Sequence, residues 1–173
     1  MSDTLVTIVA IALAAILMFV FPLMTMSDRT DDVSQLTVET ATTDFVDEIR
    51  TTGKITPEKY NQFLETIGST GNTYNTEMEV KILDENPGKK TTQTNRDKIG
   101  ENVYYSVYTS QIEEKLNNGQ PYKLKEGDIV SVSVKNTNQT LSQQLKNFFY
   151  KVVGNDTYTI AASHGGIVTA TGK

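Results

Sequence analysis

The chain contains a single histidine, His164 in the stretch ASHGG, and no cysteine. Imidazole is the side chain best suited to moving protons near neutral pH, so His164 is the first residue to test for chemistry. A Ser-His-Asp arrangement or a zinc site would need partners held beside it. With no thiol and no second imidazole, a cysteine nucleophile, a thiolate metal site and a disulfide framework are excluded. His164 therefore reads as a turn residue beside Gly165 and Gly166. Carboxylates are plentiful, and a pair of them could hydrolyse a glycoside. Here, however, they recur on the polar sides of amphipathic segments, which is the ordinary solvated arrangement. The stretches DRTDD (28–32) and DENPGK (84–89) share acids with calcium loops but lack the D-x-[DN]-x-[DN]-G spacing and the distal Glu. KEGD at 125–128 is a turn entering a strand, too short to cradle a phosphate. The triplets starting at Asn138 and Asn155 have the glycosylation pattern, which an Asn/Thr-rich chain produces by chance. Tyr104, Tyr105, Tyr108, Tyr122, Tyr150 and Tyr158 could line a binding surface, but the expected use is packing of a thin sheet with hydroxyls at the rim. No catalytic, cofactor-binding or metal-ligating residue is expected, and no small-molecule substrate. The chain reads as non-enzymatic.

Charge narrows the partners further. The net charge is −5 over 173 residues, the pI is about 4.9, and no Lys/Arg run exceeds two residues. Binding nucleic acid requires a basic surface that releases counterions, so nucleic acid is not an expected partner.

The elements that would position any site begin with TLVTIVAIALAAILMFVFPLMTM (4–26). Leu5 to Met26 carries no charge. As a helix it would rise about 33 Å, enough to cross a hydrocarbon core of about 30 Å. A cleaved signal would show a basic n-region, a shorter apolar core and a small-x-small site. This chain begins MSD and offers no such site after LMTMSD. A retained membrane helix is therefore favoured over a cleaved signal or a buried core helix. Only Arg29, among Asp28, Asp31 and Asp32, informs the positive-inside rule, which is nearly silent here. The composition of the rest favours a single-pass protein of the cell membrane with its C-terminal domain outside.

From 28 to 50 there is no Gly or Pro, and Val38, Ala41, Phe45 and Ile49 form one helical stripe beside acids on the other faces. This reads either as a stalk packed on its own domain or as a helix shared between membrane and domain. Gly53 ends it. Thr56 and Pro57 start a short helix bearing Tyr60, Phe63, Leu64 and Ile67, which Gly68 stops. YNTEMEVKIL alternates as a strand, with Tyr74, Met78, Val80 and Ile82 on one face, and the turn ENPG and a polar loop follow it. VYYSVY (103–108) reads as a second strand. Capping boxes Ser110/Glu113 and Thr140/Gln143 open two helices, the first carrying Ile112 and Leu116, the second Leu141, Leu145, Phe148, Phe149 and Val152. Between them Val130, Val132 and Val134 alternate on a further strand, and the tail reads as two short strands hinged at Gly165-Gly166. The expected fold is α+β: a long N-terminal transmembrane-plus-amphipathic helix, then a small, mostly antiparallel sheet with helices on one face. The expected division is a membrane helix (1–27), an amphipathic stalk (28–52) and an extracytoplasmic head (53–173).

An apolar N-terminal helix running into an amphipathic helix and a small helix-and-sheet head resembles the type IV pilin architecture. The stretches TTDFVDEIRTTGKITPEKYNQFLETIGSTGNTYNTEMEVKIL (42–83) and YKLKEGDIVSVSVKNTNQTLSQQLKNFF (122–149) are similar to minor pilin-like proteins of Tad-type pilus systems in Gram-positive bacteria. The resemblance implies a membrane-held subunit of a surface pilus or secretion machine, whose partners are other pilin-like subunits or assembly-machine proteins. Pilins of this type carry an acid a few residues into the apolar segment. Here Leu5 stands there, and Asp3 is the only acid near that end. Pro22 matches the family's habit of a proline late in the helix. The departures favour a minor or assembly role over bulk filament formation. Ala10, Ala12, Ala14 and Ala15 would let helices approach closely, or are ordinary membrane composition. A membrane-anchored extracellular binding or adhesion module, using the Tyr-rich sheet, is the alternative.

Overall fold

The computed structural model describes residues 2–84, 104–150 and 159–173, with the side chains of 2 and 148–150 outside the description. The expected ENPG turn and the polar loop after it, Val103, Val152, Asn155, Tyr158 and the side chains of Phe148, Phe149 and Tyr150 thus lie outside the described residues.

In chain order the elements are α1 (Ser2–Thr52), β1 (Lys54–Ile55), α2 (Pro57–Gly68), β2 (Tyr74–Leu83), β3 (Tyr104–Tyr108), α3 (Thr109–Asn117), β4 (Tyr122–Lys123), β5 (Ile129–Asn136), α4 (Leu141–Tyr150) and β6 (Ala161–Ile167). The fold is α+β, as expected. Its first element is one helix of 51 residues that passes through Pro22 without ending. At 1.5 Å per residue it is about 76 Å long. Its hydroxyls are satisfied internally: Thr7, Thr25, Thr30, Ser34, Thr37 and Thr42 each donate to the carbonyl four residues back, at 2.6–3.1 Å. This lets polar side chains sit on a helix with few other partners.

Strands β3-β2-β5-β6 form one antiparallel sheet, and β1 with β4 a small two-stranded ladder. The alternation in β2 and β5 puts Met78, Val80, Val130, Val132 and Val134 on one buried face, joined by Ala162 from β6. The opposite parity carries Glu77, Glu79, Ser131, Ser133 and Ser163, and no described helix covers it. Helix α1 lies across the apolar face along β5 and β6, and α3 packs beside β2 and β3. Helix α2 starts as expected, with Thr56 Oγ1 accepting from the Lys59 N–H at 3.3 Å. It packs on α1 through Phe63, whose ring stacks on Phe45 at 4.5 Å.

Strand β6 and α1 run side by side in the same direction. The Gln35 amide exchanges two hydrogen bonds with the backbone of Ala161, at 2.7 and 3.0 Å, as a neighbouring strand would. At the other end Arg50 Nε donates to the Ile167 carbonyl at 3.1 Å. From residue 35 to 50 a helix rises about 22 Å, and from 161 to 167 a strand rises about 20 Å, so the two stay in step. The helix ends at Gly53, which has φ +67°, and a side chain there would collide with the Ala170 carbonyl.

Three expectations are corrected. The tail is one strand through Gly165-Gly166, not two strands hinged there. The glycines permit close approach: a Cβ on Gly165 would stand 2.9 Å from the Val130 carbonyl, and one on Gly166 would stand 2.6 Å from Arg50 Nε. His164 is consequently a mid-strand residue, not a turn residue. Helix α3 begins at Thr109, ahead of the expected Ser110/Glu113 box. Thr109 Oγ1 accepts from the Met78 N–H at 2.7 Å, which pins the helix start to β2, and Gln111 accepts from the Tyr108 N–H at 3.2 Å. Glu113 instead accepts from the Tyr60 hydroxyl at 2.6 Å. Burial and that carboxylate push the Tyr60 hydroxyl well above its ordinary pKa. The Thr140/Gln143 box forms in both directions, at 3.2 and 3.0 Å.

Truncating Ile49, which is fully buried, to Ala is expected to cost about 2–5 kcal/mol of stability. Leu36→Ala, on the exposed side of the same helix, should change stability by less than about 0.5 kcal/mol. Denaturant unfolding of the two variants in detergent checks both.

Candidate functional site

The part of this chain with an unusual physical arrangement is α1. Its segment from 3 to 52 contains a window long and apolar enough to cross a membrane, and none of that window is buried. Above it the same helix has two unlike sides. One side packs into the head: Ser27, Asp31, Ser34, Val38, Thr42, Phe45, Val46 and Ile49 are buried, at successive helical spacings. The other side stays bare. Val33 and Leu36 are each 64% exposed. With Ile8, Ile11, Met18 and Met26, also exposed, they lie on one face. At about 100° per residue that face is roughly opposite the head.

The sequence-derived stripe is found where it is needed. Val38, Phe45 and Ile49 are buried, and Ala41 is partly buried against the same core. The buried side is wider than that stripe, since Val46 and Thr42 are also fully buried. Asp31, which its neighbours Asp28 and Asp32 make look like part of a solvated acidic face, is only 6% exposed. Asp3 and Pro22 lie within α1. Ala10 and Ala14 are one turn apart on one face, whereas Ala12 points to nearly the opposite side and Ala15 to neither, so the four do not form a single groove.

The lower, polar half of the buried side holds α4. Thr140 Oγ1 donates to Asp31 Oδ2 at 2.6 Å. The Ser142 hydroxyl donates to Asp28 Oδ1, and Lys146 Nζ pairs with the same carboxylate at 2.6 Å. The Lys146 ammonium and then the Ser142 hydroxyl hold the Asp28 carboxyl below the usual carboxylate range, against a smaller opposing effect of burial. The acids of DRTDD are thus engaged in docking a helix. Among the described residues no group of three or more potential metal ligands exists.

His164 Nε2 stands 3.5 Å from Asp47 Oδ1, which also takes a 2.7 Å ion pair from Arg50 Nη1. Among the described residues the buried His164 Nε2 makes no hydrogen bond. Asp128, buried at the KEGD turn, accepts from the N–H groups of Lys125 at 2.8 Å and Leu83 at 3.1 Å, closing the turn onto β2. The Asn138 side chain bonds Asn72 and the Thr73 N–H, each at 2.9 Å. The tyrosines divide. Tyr122 is buried under Lys115, and burial, with Tyr105 and Asp128 nearby, raises its pKa. Tyr104, Tyr105 and Tyr108, all on β3, are exposed rather than packed.

No family model, curated protein or solved structure matches this chain. Its functional reading therefore rests on α1 and the surfaces around it.

The Asp28 latch carries a pH dependence. Because the folded carboxyl titrates below its unfolded value of about 4, its contribution is complete above pH 4 and is lost as pH falls through the depressed folded value. Asp28 is partly solvated, so at pH 7 Asp28→Asn should cost no more than about 1 kcal/mol. The stability gap between the two proteins should narrow as pH falls below 4 and close as it passes the depressed folded value. Paired denaturant titrations across that range measure it.

Proposed function

We propose that this chain is a single-pass, membrane-anchored subunit of the minor-pilin kind, working in a surface pilus or secretion assembly by packing against other subunits. The observation that carries this reading is the side of α1 opposite the head, on which the apolar Val33 and Leu36 stay exposed past the level at which the head begins. A helix that served only as an anchor would have no need of apolar side chains above the bilayer on the side its own head leaves open. The long apolar helix packed on a small antiparallel sheet has the layout of a pilin, in keeping with the resemblance in 42–83 and 122–149. The head stands outside the cell in this reading, and its role is structural rather than catalytic.

Close packing of apolar helix faces supplies the association energy. Within the bilayer it comes from van der Waals fit, since lipid is as apolar as the helix. Above the bilayer, burial of Val33 and Leu36 adds the hydrophobic term. A second reading, an anchored extracellular binding module, draws on the concavity of about 480 Å³ lined by Glu77, Glu79, Tyr108, Ser110, Ser131 and Ser133 on the uncovered side of the sheet.

The two readings part on one experiment. Replacing residues 5–26 by an unrelated apolar helix, or making Val33→Asp with Leu36→Asp, should abolish co-purification with other membrane-anchored subunits while the head stays folded. If both variants keep their partners and only changes at Tyr108 and Ser131 disturb binding, the anchored module is the function.

A further inference from the structure

We infer that α4 is seated in the lipid headgroup layer, making a second contact with the membrane beside α1. This rests on the reading of α1 as membrane-spanning and adds to it how the head sits on the bilayer. Three observations lead there. The first is height. The apolar run of α1 ends at Met26, and Asp28, one of the two residues that hold α4, lies about 3 Å further along the helix axis. The second is direction. Thr140, just before α4, meets Asp31, whereas Lys146, further along α4, meets Asp28. The helix thus advances toward the membrane end of α1, and its last residue, Tyr150, lies four residues beyond Lys146, about 6 Å further on. At the slope of those contacts, three residues of α1 for six of α4, the end of α4 comes to the level of Met26, the edge of the apolar run.

The third observation is chemistry. The last turn of α4 reads KNFFY (146–150) in sequence. Aromatic residues beside a lysine suit the boundary between headgroups and acyl chains, where rings bury and ammonium groups reach water or phosphate. Ser142 and Lys146, one turn apart, face α1, whereas Leu141 on another side of the helix is 53% exposed. Leu145 follows it at i+4, and Phe148 follows at i+7 in the sequence. The helix thus meets α1 through Ser142 and Lys146 and carries an apolar stripe in its sequence on another side, as an interfacial helix requires. Lipid is the occupant because this face adjoins the apolar surface of α1 at the same height.

The chain contains no tryptophan, so one introduced Trp reports its own surroundings. Phe148→Trp and Phe149→Trp, made separately in the full chain, are reconstituted in phosphatidylcholine vesicles brominated either near the headgroup or near the chain ends. Phe19→Trp, in the apolar run, and Tyr108→Trp, on the exposed edge strand, serve as references. The expected result is loss of emission from at least one of the α4 probes, stronger with shallow than with deep bromine. Phe19→Trp should be quenched with Tyr108→Trp unaffected. Quenching at 19 with none at 148 or 149 overturns the inference and leaves the membrane span standing. A blue-shifted but unquenched α4 probe also overturns it, since protein would then cover the helix. No quenching at 19 overturns the membrane reading and this inference together.

Discussion

A helix that does not break between Ser2 and Thr52 fixes every angular position along it at once. Each residue advances the face by about 100°, so the side that meets the head at Ile49 is set, through the turns below, by the side that meets it at Ser27. That rigidity is why β6 can run in step with the stalk, held by Gln35 at one end and Arg50 at the other. It also explains the two glycines in β6. Against the backbone of β5 there is no room for a Cβ at 165, and a Cβ at 166 would displace the end of the Arg50 side chain. The rest of the sheet is then ordered outward from β6, through β5 and β2 to β3.

Along the buried side the chemistry changes with height. Ser27, Asp31 and Ser34 lie toward the membrane segment, and Val38, Phe45, Val46 and Ile49 lie away from it. The upper contacts remove apolar surface from water and supply most of the attachment energy. The lower ones, Asp28 with Lys146 and Ser142 and Asp31 with Thr140, are directional and weak in net terms. They fix the rotation of the head about α1. A wholly apolar seam at the lower end could slide or exchange its partners for lipid, whereas a carboxylate held by two donors has one good geometry.

How far the sequence showed this depends on whether a residue's role is local. The alternation in β2 and β5, the Thr56 cap and the Thr140/Gln143 box each involve neighbours within a few positions, and they are found where the pattern puts them. The stalk stripe is local too, although Val46 and Thr42 widen it. Asp31, Glu113 and the glycines of β6 were misread because their partners are distant: Thr140, Tyr60, and Arg50 with Val130. An acid beside other acids looks solvated until a helix more than a hundred residues later arrives on it. The two-residue ladder of β1 with β4 is too short for any period to register.

The surfaces left open by these contacts are themselves informative. Packing the head on one side of α1 leaves Val33 and Leu36 open on the opposite side. Using the inner side of the sheet for that packing leaves the outer side, with Glu77, Glu79, Ser131, Ser133 and Ser163, facing away from α1. The two open surfaces therefore share no residues and differ in character, one apolar and one polar. Substitutions on the outer sheet can alter what the head presents without touching the helix face, and the core between them transmits only the position of the head. In the proposed role, that separation would leave one side of α1 for assembly and the outer sheet for the exterior, both set by the angle at which Ile49 and Asp31 meet the same domain.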